Sequence, residues 1–269
     1  MTMQHDIDIL RALGERYAAI AALPIQEAKR KLWTDHFSLK PARVPILATC
    51  GMWNVWCRDV FGDARMQCAD AFFRQYERDL RMRIFQHEVV GDDAIQEPWL
   101  PLRAAVKGKW GHLWGVAESM HAPGVEGGAA AFDPPLKSWD EVSKLCMTHH
   151  EVDEAQTASN LEKLSKAIGA ILPIDVQRTP AYSAFMSDIS TSIIKLRGME
   201  QLMLDMYEAP EEVHRLLAFM RDGILQNHRE AEEAGHFSLT SGHNQAMPYA
   251  EDIEPPRPKQ RAAQAQGHL

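Results

Sequence analysis

Apolar residues recur every three or four positions over several stretches of the chain, a spacing that predicts amphipathic helices. In the first stretch Ile9, Leu13 and Tyr17 share one face. A second helix starts after Pro24, which fits a first helical turn, and ends before Pro41. Later helices are predicted over residues 69–84, 152–168, 193–206 and 210–234.

Explicit start or stop signals mark the last of these helices and one further segment. Pro210 suits the first turn of helix 210–234, and Gly235 suits the position just after its end. Ser138 followed by Glu141 forms a capping box, which predicts a further helix start after residue 138.

Short apolar runs between the helices predict strands. The first covers residues 44–50 (VPILATC), and an unbroken apolar run of this kind suits a strand that is covered on both faces. Other strands are predicted within residues 89–99, 171–176 and 237–240. Strands that alternate with helices are typical of α/β architecture. About four strands are too few to close a (β/α)8 barrel. The chain therefore predicts an incomplete barrel with two extra N-terminal helices, or an open doubly wound sheet.

Two segments fall outside this alternation. Residues 104–135 contain six glycines and two tryptophans, which predicts an inserted loop or hairpin. Residues 255–269 contain one large apolar residue and no acidic residue, so we expect a disordered tail. The remaining 1–254 are predicted to form one barrel-like domain, with residues 1–40 as the helices that lead into it.

Charge and composition exclude several classes of protein. The formal net charge is −8, and an acidic chain repels phosphate backbones, so we expect no nucleic-acid partner. No apolar run reaches the roughly 18 residues that span a bilayer, and the polar N-terminus does not resemble a signal peptide. Four cysteines are too few for a disulfide framework in 269 residues. We therefore expect a cytoplasmic protein with free thiols.

Three stretches resemble the uroporphyrinogen decarboxylase superfamily, particularly its corrinoid- and zinc-dependent methyltransferase-like branch. They are PPLKSWDEVSKL at 134–145, the segment 197–239 with its Pro-Glu-x-Val step and its "EAG" turn, and the opening RYAAIAALPIQEAKRKLW followed by KPARVPILA. Together these stretches loosely cover residues 10–240. The resemblance implies a distorted (β/α)8 barrel with its active site at the carboxyl ends of the strands.

The departures from this family shape the expected function. The family's arginine-rich substrate motif is replaced by TCGMWNVWCRD, so we do not expect porphyrinogen decarboxylation. The methyltransferase branch holds zinc with a His-x-Cys pair and a distant Cys, but this chain has no His-x-Cys and no cysteine after Cys146. We expect no metal or cofactor in this chain. Full-length relatives would use zinc and a corrinoid on a partner protein to transfer methyl groups from a small methylated substrate. The chain is expected to be a truncated, impaired form.

Candidate site residues follow from the predicted strand ends. Glu97, near the end of the second predicted strand, is a candidate acid or base, and His243 after the last strand is a second catalytic candidate. The candidate substrate-binding residues are Cys50, Asp93, Trp99, Arg178 and Asn244. A charge-paired structural role is the alternative for the carboxylates, and a small buried apolar role is the alternative for Cys50.

Two further functions stay open at this point. The open edge of an unclosed barrel could pair with another strand, which would give a self-associating or partner-binding protein without catalysis. His243 with Asp92, Asp93 and Glu97 could instead serve a metal-dependent hydrolase. His149 and His150 resemble metal ligands, but adjacent histidines point to different sides, so a solvated helix start is the preferred interpretation.

Overall fold

The computed structural model describes residues 3–48, 59–107, 112–121, 124, 131–183, 187–240 and 246–258. The fold is a mixed α/β arrangement in which helices predominate. The backbone divides into two compact units. The described residues of the first unit fall within 1–103, 155–177 and 238–261, and those of the second within 104–154 and 178–237.

The helices of the first unit lie where the apolar spacing predicts them. They are α1 (Met3–Ala21), α2 (Ile25–Phe37), α3 (Ala71–Phe85) and α4 (Glu154–Ile168). Helix α3 begins at a strong N-cap, because the Asp70 carboxylate accepts from the backbone N–H groups of Phe72 and Phe73. Leu10, Leu80 and Leu164, from α1, α3 and α4, are fully buried in one apolar core.

This core covers one face of a parallel strand pair. Strand β1 (Leu100–Arg103) pairs with a later strand, β4 (Ile174–Gln177), in the register Leu100 with Ile174 and Leu102 with Val176. Leu100, Leu102, Ile174 and Val176 join the core of α1, α3 and α4. Because side chains alternate across a strand, Pro101, Arg103, Asp175 and Gln177 lie on the opposite, polar face.

The prediction of a strand over 44–50 is wrong for its described residues, 44–48. These residues form no strand, and Val44 and Ile46 are 72% and 69% exposed. Their backbone groups bond to another segment instead. Ile46 donates to the Asp93 carboxylate at 2.8 Å, and Ala48 donates to the Asp92 carboxylate at 2.7 Å. Side-chain acceptors thus take the place of a neighbouring strand.

The strand predicted within 89–99 lies later in the chain. Residues Gln86–Val90 form a π-helical turn that prolongs α3, and Gly91 ends it in the left-handed conformation at φ 65°. The strand itself begins only at Leu100. The strand predicted at 171–176 is present as β4, but it starts after Pro173. Residues 237–240 form no strand, and Phe237 packs edge-on against His228.

The second unit joins a short hairpin to a group of helices. Strands β2 (Ser119–His121) and β3 (Ala131–Asp133) pair antiparallel within the predicted insertion. A 3₁₀ helix, Trp139–Lys144, follows Ser138, whose backbone N–H donates to the Glu141 carboxylate at 3.1 Å. Helices α5 (Ile189–Arg197), α6 (Met199–Glu208) and α7 (Pro210–Glu233) complete the unit.

Helix α7 has the predicted ends, with Pro210 in its first turn and Gly235 in the left-handed conformation after it. The helical region predicted over 193–206 is two helices rather than one. Of the predicted tail, residues 259–269 lie outside the described residues. None of the described helices is long and apolar enough to span a membrane.

A buried ion pair fixes the junction of α5 and α6. Arg197 donates to Asp205 at 2.6 and 3.1 Å, and both side chains are almost fully buried. Arg197 also donates to the Leu136 carbonyl at 2.9 Å, which ties the pair to the segment after β3. The hydrogen bonds from Arg197 hold the pKa of Asp205 below its usual range.

We expect Asp205→Asn to lower the free energy of unfolding by about 3–5 kcal/mol, because it leaves the Arg197 charge buried without its partner. Glu212→Gln is the matched control, since it breaks an exposed Arg215–Glu212 pair on α7 that is worth about 1 kcal/mol or less. Urea unfolding of both variants measures the difference. Equal losses in the two variants would contradict the assigned role of the buried pair.

Candidate functional site

The three carboxylates predicted around the second strand all lie before that strand begins. Asp92, Asp93 and Glu97 are buried between the π-helical turn and β1. Because β1 begins at Leu100, all three precede its amino end. The expected position of Glu97 near the carboxyl end of a strand is therefore wrong, and it lies away from the edge where barrel enzymes bind substrate.

Glu97 is a 5% exposed carboxylate with strong partners on both oxygens. Arg30 of α2 donates to Oε1 and Oε2 at 2.9 and 2.8 Å, and the Tyr249 hydroxyl donates to Oε1. The hydrogen bonds with Glu97 raise the pKa of Arg30, and burial together with Glu97 raises the pKa of Tyr249. This arrangement fastens α2 and residues 246–250 to the segment before β1.

Asp93 and Asp92 hold the loop that follows α2. Arg43 donates to both Asp93 oxygens at 2.7 and 2.5 Å, and the Ile46 N–H adds a third bond. These hydrogen bonds lower the pKa of Asp93, and the bond from Arg43 has the largest effect. Asp92 accepts from Gln86 at 2.9 Å and from the Ala48 N–H. Glu97 and Asp93 thus have the ion pairs that their structural alternative predicts, whereas the hydrogen bonds to Asp92 come from uncharged donors.

The remaining predicted site residues are not brought together. Trp99 is buried, and its backbone N–H donates to the Glu97 carbonyl at 2.8 Å. Arg178, in the second unit, donates a bidentate pair of hydrogen bonds to the Glu154 carboxylate at 2.7 and 2.9 Å. These bonds raise the pKa of Arg178. Cys50, His243 and Asn244 lie outside the described residues.

The polar face of the β1–β4 pair carries residues that the sequence analysis did not single out. Asp175 is only 4% exposed, although it points away from the apolar core. Gln177 donates to the Asp175 carboxylate at 3.0 Å, and Arg103 is the register partner of Gln177 at the carboxyl end of β1. The signal was present in ILPIDVQ, where polar residues alternate with Ile174 and Val176.

His149 and His150 have separate partners, as their adjacent positions predict. His149 Nδ1 lies 2.7 Å from a Glu230 oxygen, and His150 Nε2 lies 2.9 Å from His236 Nδ1. Across the described parts of the chain, no three His, Cys, Asp or Glu side chains are grouped so as to hold a metal ion.

The thiols that the structure describes do not suit a zinc centre either. Cys68 is buried against the Asp6 carbonyl, and burial with Glu77 nearby raises the pKa of its thiol to about 12. Zinc binds the thiolate, so a thiol held neutral is a poor ligand. Cys146 is exposed and lies in the other unit. The described donor set therefore does not fit the zinc site that the family resemblance implies.

Comparison with protein-family models, with curated proteins and with solved structures found no match to this chain. The family resemblance carried by residues 10–240 therefore stays a prediction.

The Asp93–Arg43 pair predicts a defined pH dependence. Because the folded-state pKa of Asp93 is lowered, its stabilisation is complete above the unfolded value of about 3.9 and is lost as the pH falls through the lower folded value. We expect Asp93→Asn to cost about 1–3 kcal/mol near neutral pH and progressively less below about pH 4. Urea unfolding over this pH range measures the difference.

Glu15→Gln is the control for that series, because Glu15 is exposed on α1. Its effect on the free energy of unfolding should stay within about 0.5 kcal/mol at every pH. A cost of Asp93→Asn that does not change with pH would show that the charge of Asp93 contributes nothing.

Proposed function

We propose that this chain is a uroporphyrinogen decarboxylase-like protein that binds a small methylated substrate at the carboxyl ends of β1 and β4. The observation that carries the proposal is the parallel β1–β4 pair, with helices on its apolar face and the buried Asp175 on its polar face. In barrels and open α/β sheets alike, ligands bind at the carboxyl ends of parallel strands. An incomplete distorted (β/α)8 barrel is the architecture that accommodates this pair best.

The proposed chemistry is methyl transfer between the substrate and a corrinoid held by a partner protein, as the family resemblance implies. When the methyl group leaves the substrate for the corrinoid, protonated Asp175 gives a proton to the leaving group. In the reverse direction Asp175 accepts the proton that the demethylated substrate loses as it takes the methyl group, and Gln177 orients that carboxyl group in both directions. The burial of Asp175 strengthens such an interaction, because the local dielectric is low. No step is assigned to zinc, since the described donors do not fit it.

Glu97 and Asp93 take no catalytic part in this proposal. Their oxygens are occupied by Arg30, Tyr249 and Arg43, so a substrate would have to displace an ion pair to reach them. Self-association and metal-dependent hydrolysis stay as predictions from the sequence, and the second of these depends on His243 outside the described residues.

Anaerobic incubation of excess protein with free methylcobalamin and a small thiol tests the function. We expect slow demethylation of the cobalamin, followed by its visible absorbance, and a loss of about 100-fold or more in Asp175→Asn, as for removal of a general base. Glu154→Gln, which breaks an exposed ion pair, should leave the rate unchanged. No demethylation by the unmodified chain, or equal rates in Asp175→Asn, would contradict the proposal.

A further inference from the structure

Helix α6 of the second unit carries a continuous apolar surface that the core does not use. Large apolar side chains on this helix are each between 54% and 91% exposed, and they are Met199, Met203, Leu204, Met206 and Tyr207. Residues at positions i, i+4, i+7 and i+8 share one side of a helix, so four of the five form a stripe and Leu204 lies beside it. These five residues are called the α6 face below.

The other side of α6 is firmly attached to the unit. Leu202 is buried in the apolar core with Leu196 of α5 and Val213 of α7. Asp205 is held by the buried ion pair with Arg197. The α6 face is therefore the outer surface of a fixed helix. Its exposed side chains amount to on the order of 500 Å² of apolar surface, and a patch of that size on a soluble protein marks an interaction site.

The shape of the α6 face suits a helical partner. Apolar side chains spaced three and four residues apart form ridges into which the side chains of a second helix can pack. Three of the five residues are methionines, whose flexible side chains adapt to such a partner. Met199 also lines a cavity of about 380 Å³ between residues 134–137 and the start of α6, which has room for one anchoring side chain.

The charges around the α6 face are acidic. Helix α6 contains no basic residue, and exposed carboxylates lie beside the face at Glu200 and Glu208 and in the first turn of α7 at Glu211. Within the described parts of the chain, the side chains of these three residues form no ion pair or hydrogen bond. Basic groups of the neighbouring segments are already paired, as Arg197 is with Asp205, Lys137 with Asp133, Lys195 with Glu118 and Arg215 with Glu212.

We propose that the α6 face binds an amphipathic helix of another protein, one whose polar side carries lysine or arginine. The apolar side of that helix would pack on Met203 and Tyr207, and its basic side chains would meet Glu200 and Glu208, since complementary charges select the partner. A second copy of this chain fits less well, because it would bring two acidic rims together. The same acidic rim repels an anionic membrane surface.

This proposal goes beyond methyl transfer, since α6 takes no part in the site proposed at β1 and β4. It is tested by binding alone, so a failure of the methyl-transfer assay leaves it intact.

Fluorescence anisotropy with the full chain tests the proposal. The probe is a labelled synthetic peptide of leucine and lysine, with the leucines on one helical side, and the comparison peptide has glutamate at every lysine position. We expect saturable binding of the leucine–lysine peptide that weakens at high salt, and at least about tenfold weaker binding of the leucine–glutamate peptide.

Variants of exposed methionines locate the binding surface. Met203→Ser should weaken binding of the leucine–lysine peptide by about tenfold or more, as for a central apolar contact. Met3→Ser on α1 is the matched control, because Met3 is 65% exposed and Met203 is 67% exposed. It should change binding by about twofold or less. Circular dichroism of both variants shows that they are folded, so a loss of binding reports on the α6 face.

Variants of exposed carboxylates test the charge of the rim. Glu200→Gln combined with Glu208→Gln should weaken binding of the leucine–lysine peptide by about threefold or more. Glu15→Gln, on an exposed position of α1, should leave it within about twofold.

Four outcomes would overturn the proposal. They are no saturable binding of the leucine–lysine peptide, equally tight binding of the leucine–glutamate peptide, equal weakening in Met203→Ser and Met3→Ser, or self-association of the unmodified chain that Met203→Ser abolishes. Sedimentation velocity measures the last of these, and it would show that a second copy of the chain occupies the α6 face.

Discussion

The parallel pairing of β1 with β4 is the constraint on which the first unit depends. The two strands lie about 70 residues apart in the chain, so their pairing closes a long loop, whose entropic cost must be met by burial. That cost is offset by burial of Leu100, Leu102 and Ile174 in the core formed with α1, α3 and α4. Because side chains alternate along a strand, burial of one face of β4 in the core places Asp175 and Gln177 together on the opposite face.

Ion pairs hold the parts of the first unit that the apolar core does not reach. The carboxylates before β1 bind Arg30 of α2, Arg43 of the next loop and Tyr249 of a distant segment. Buried carboxylates of this kind require partners, because an unpaired buried charge costs several kcal/mol. Glu97 and Asp93, which resemble a catalytic group in the sequence, connect the segment before β1 to α2, to the following loop and to the segment around Tyr249.

Helices were predictable here because their signals are local. The stripe of α1, the Pro210 start and Gly235 end of α7 and the Ser138–Glu141 cap each lie within a few residues of the structure that they specify. Strands were harder to predict, because an apolar run carries no information about the strand with which it pairs. Backbone N–H groups of residues 44–48 bond to side-chain carboxylates rather than to a neighbouring strand. Val89 and Val90, which were predicted to lie in a strand, belong to the π-helical turn that prolongs α3.

The candidate site was predictable only in principle. The alternation in ILPIDVQ places Asp175 opposite Ile174 and Val176, but its meaning depends on which distant strand lies alongside. Glu97 was misplaced because the strand was predicted within 89–99, whereas β1 begins only at Leu100, so a residue expected near the end of the strand precedes it.

The most direct test of this account is the relative direction of the two strands, measured by cross-strand nuclear Overhauser effects. A parallel pair in the observed register connects Leu100 with Ile174 and Leu102 with Val176, so contacts advance in the same direction along both strands. Contacts that connect Leu100 with Val176 and Leu102 with Ile174 would show an antiparallel pair and would contradict the account.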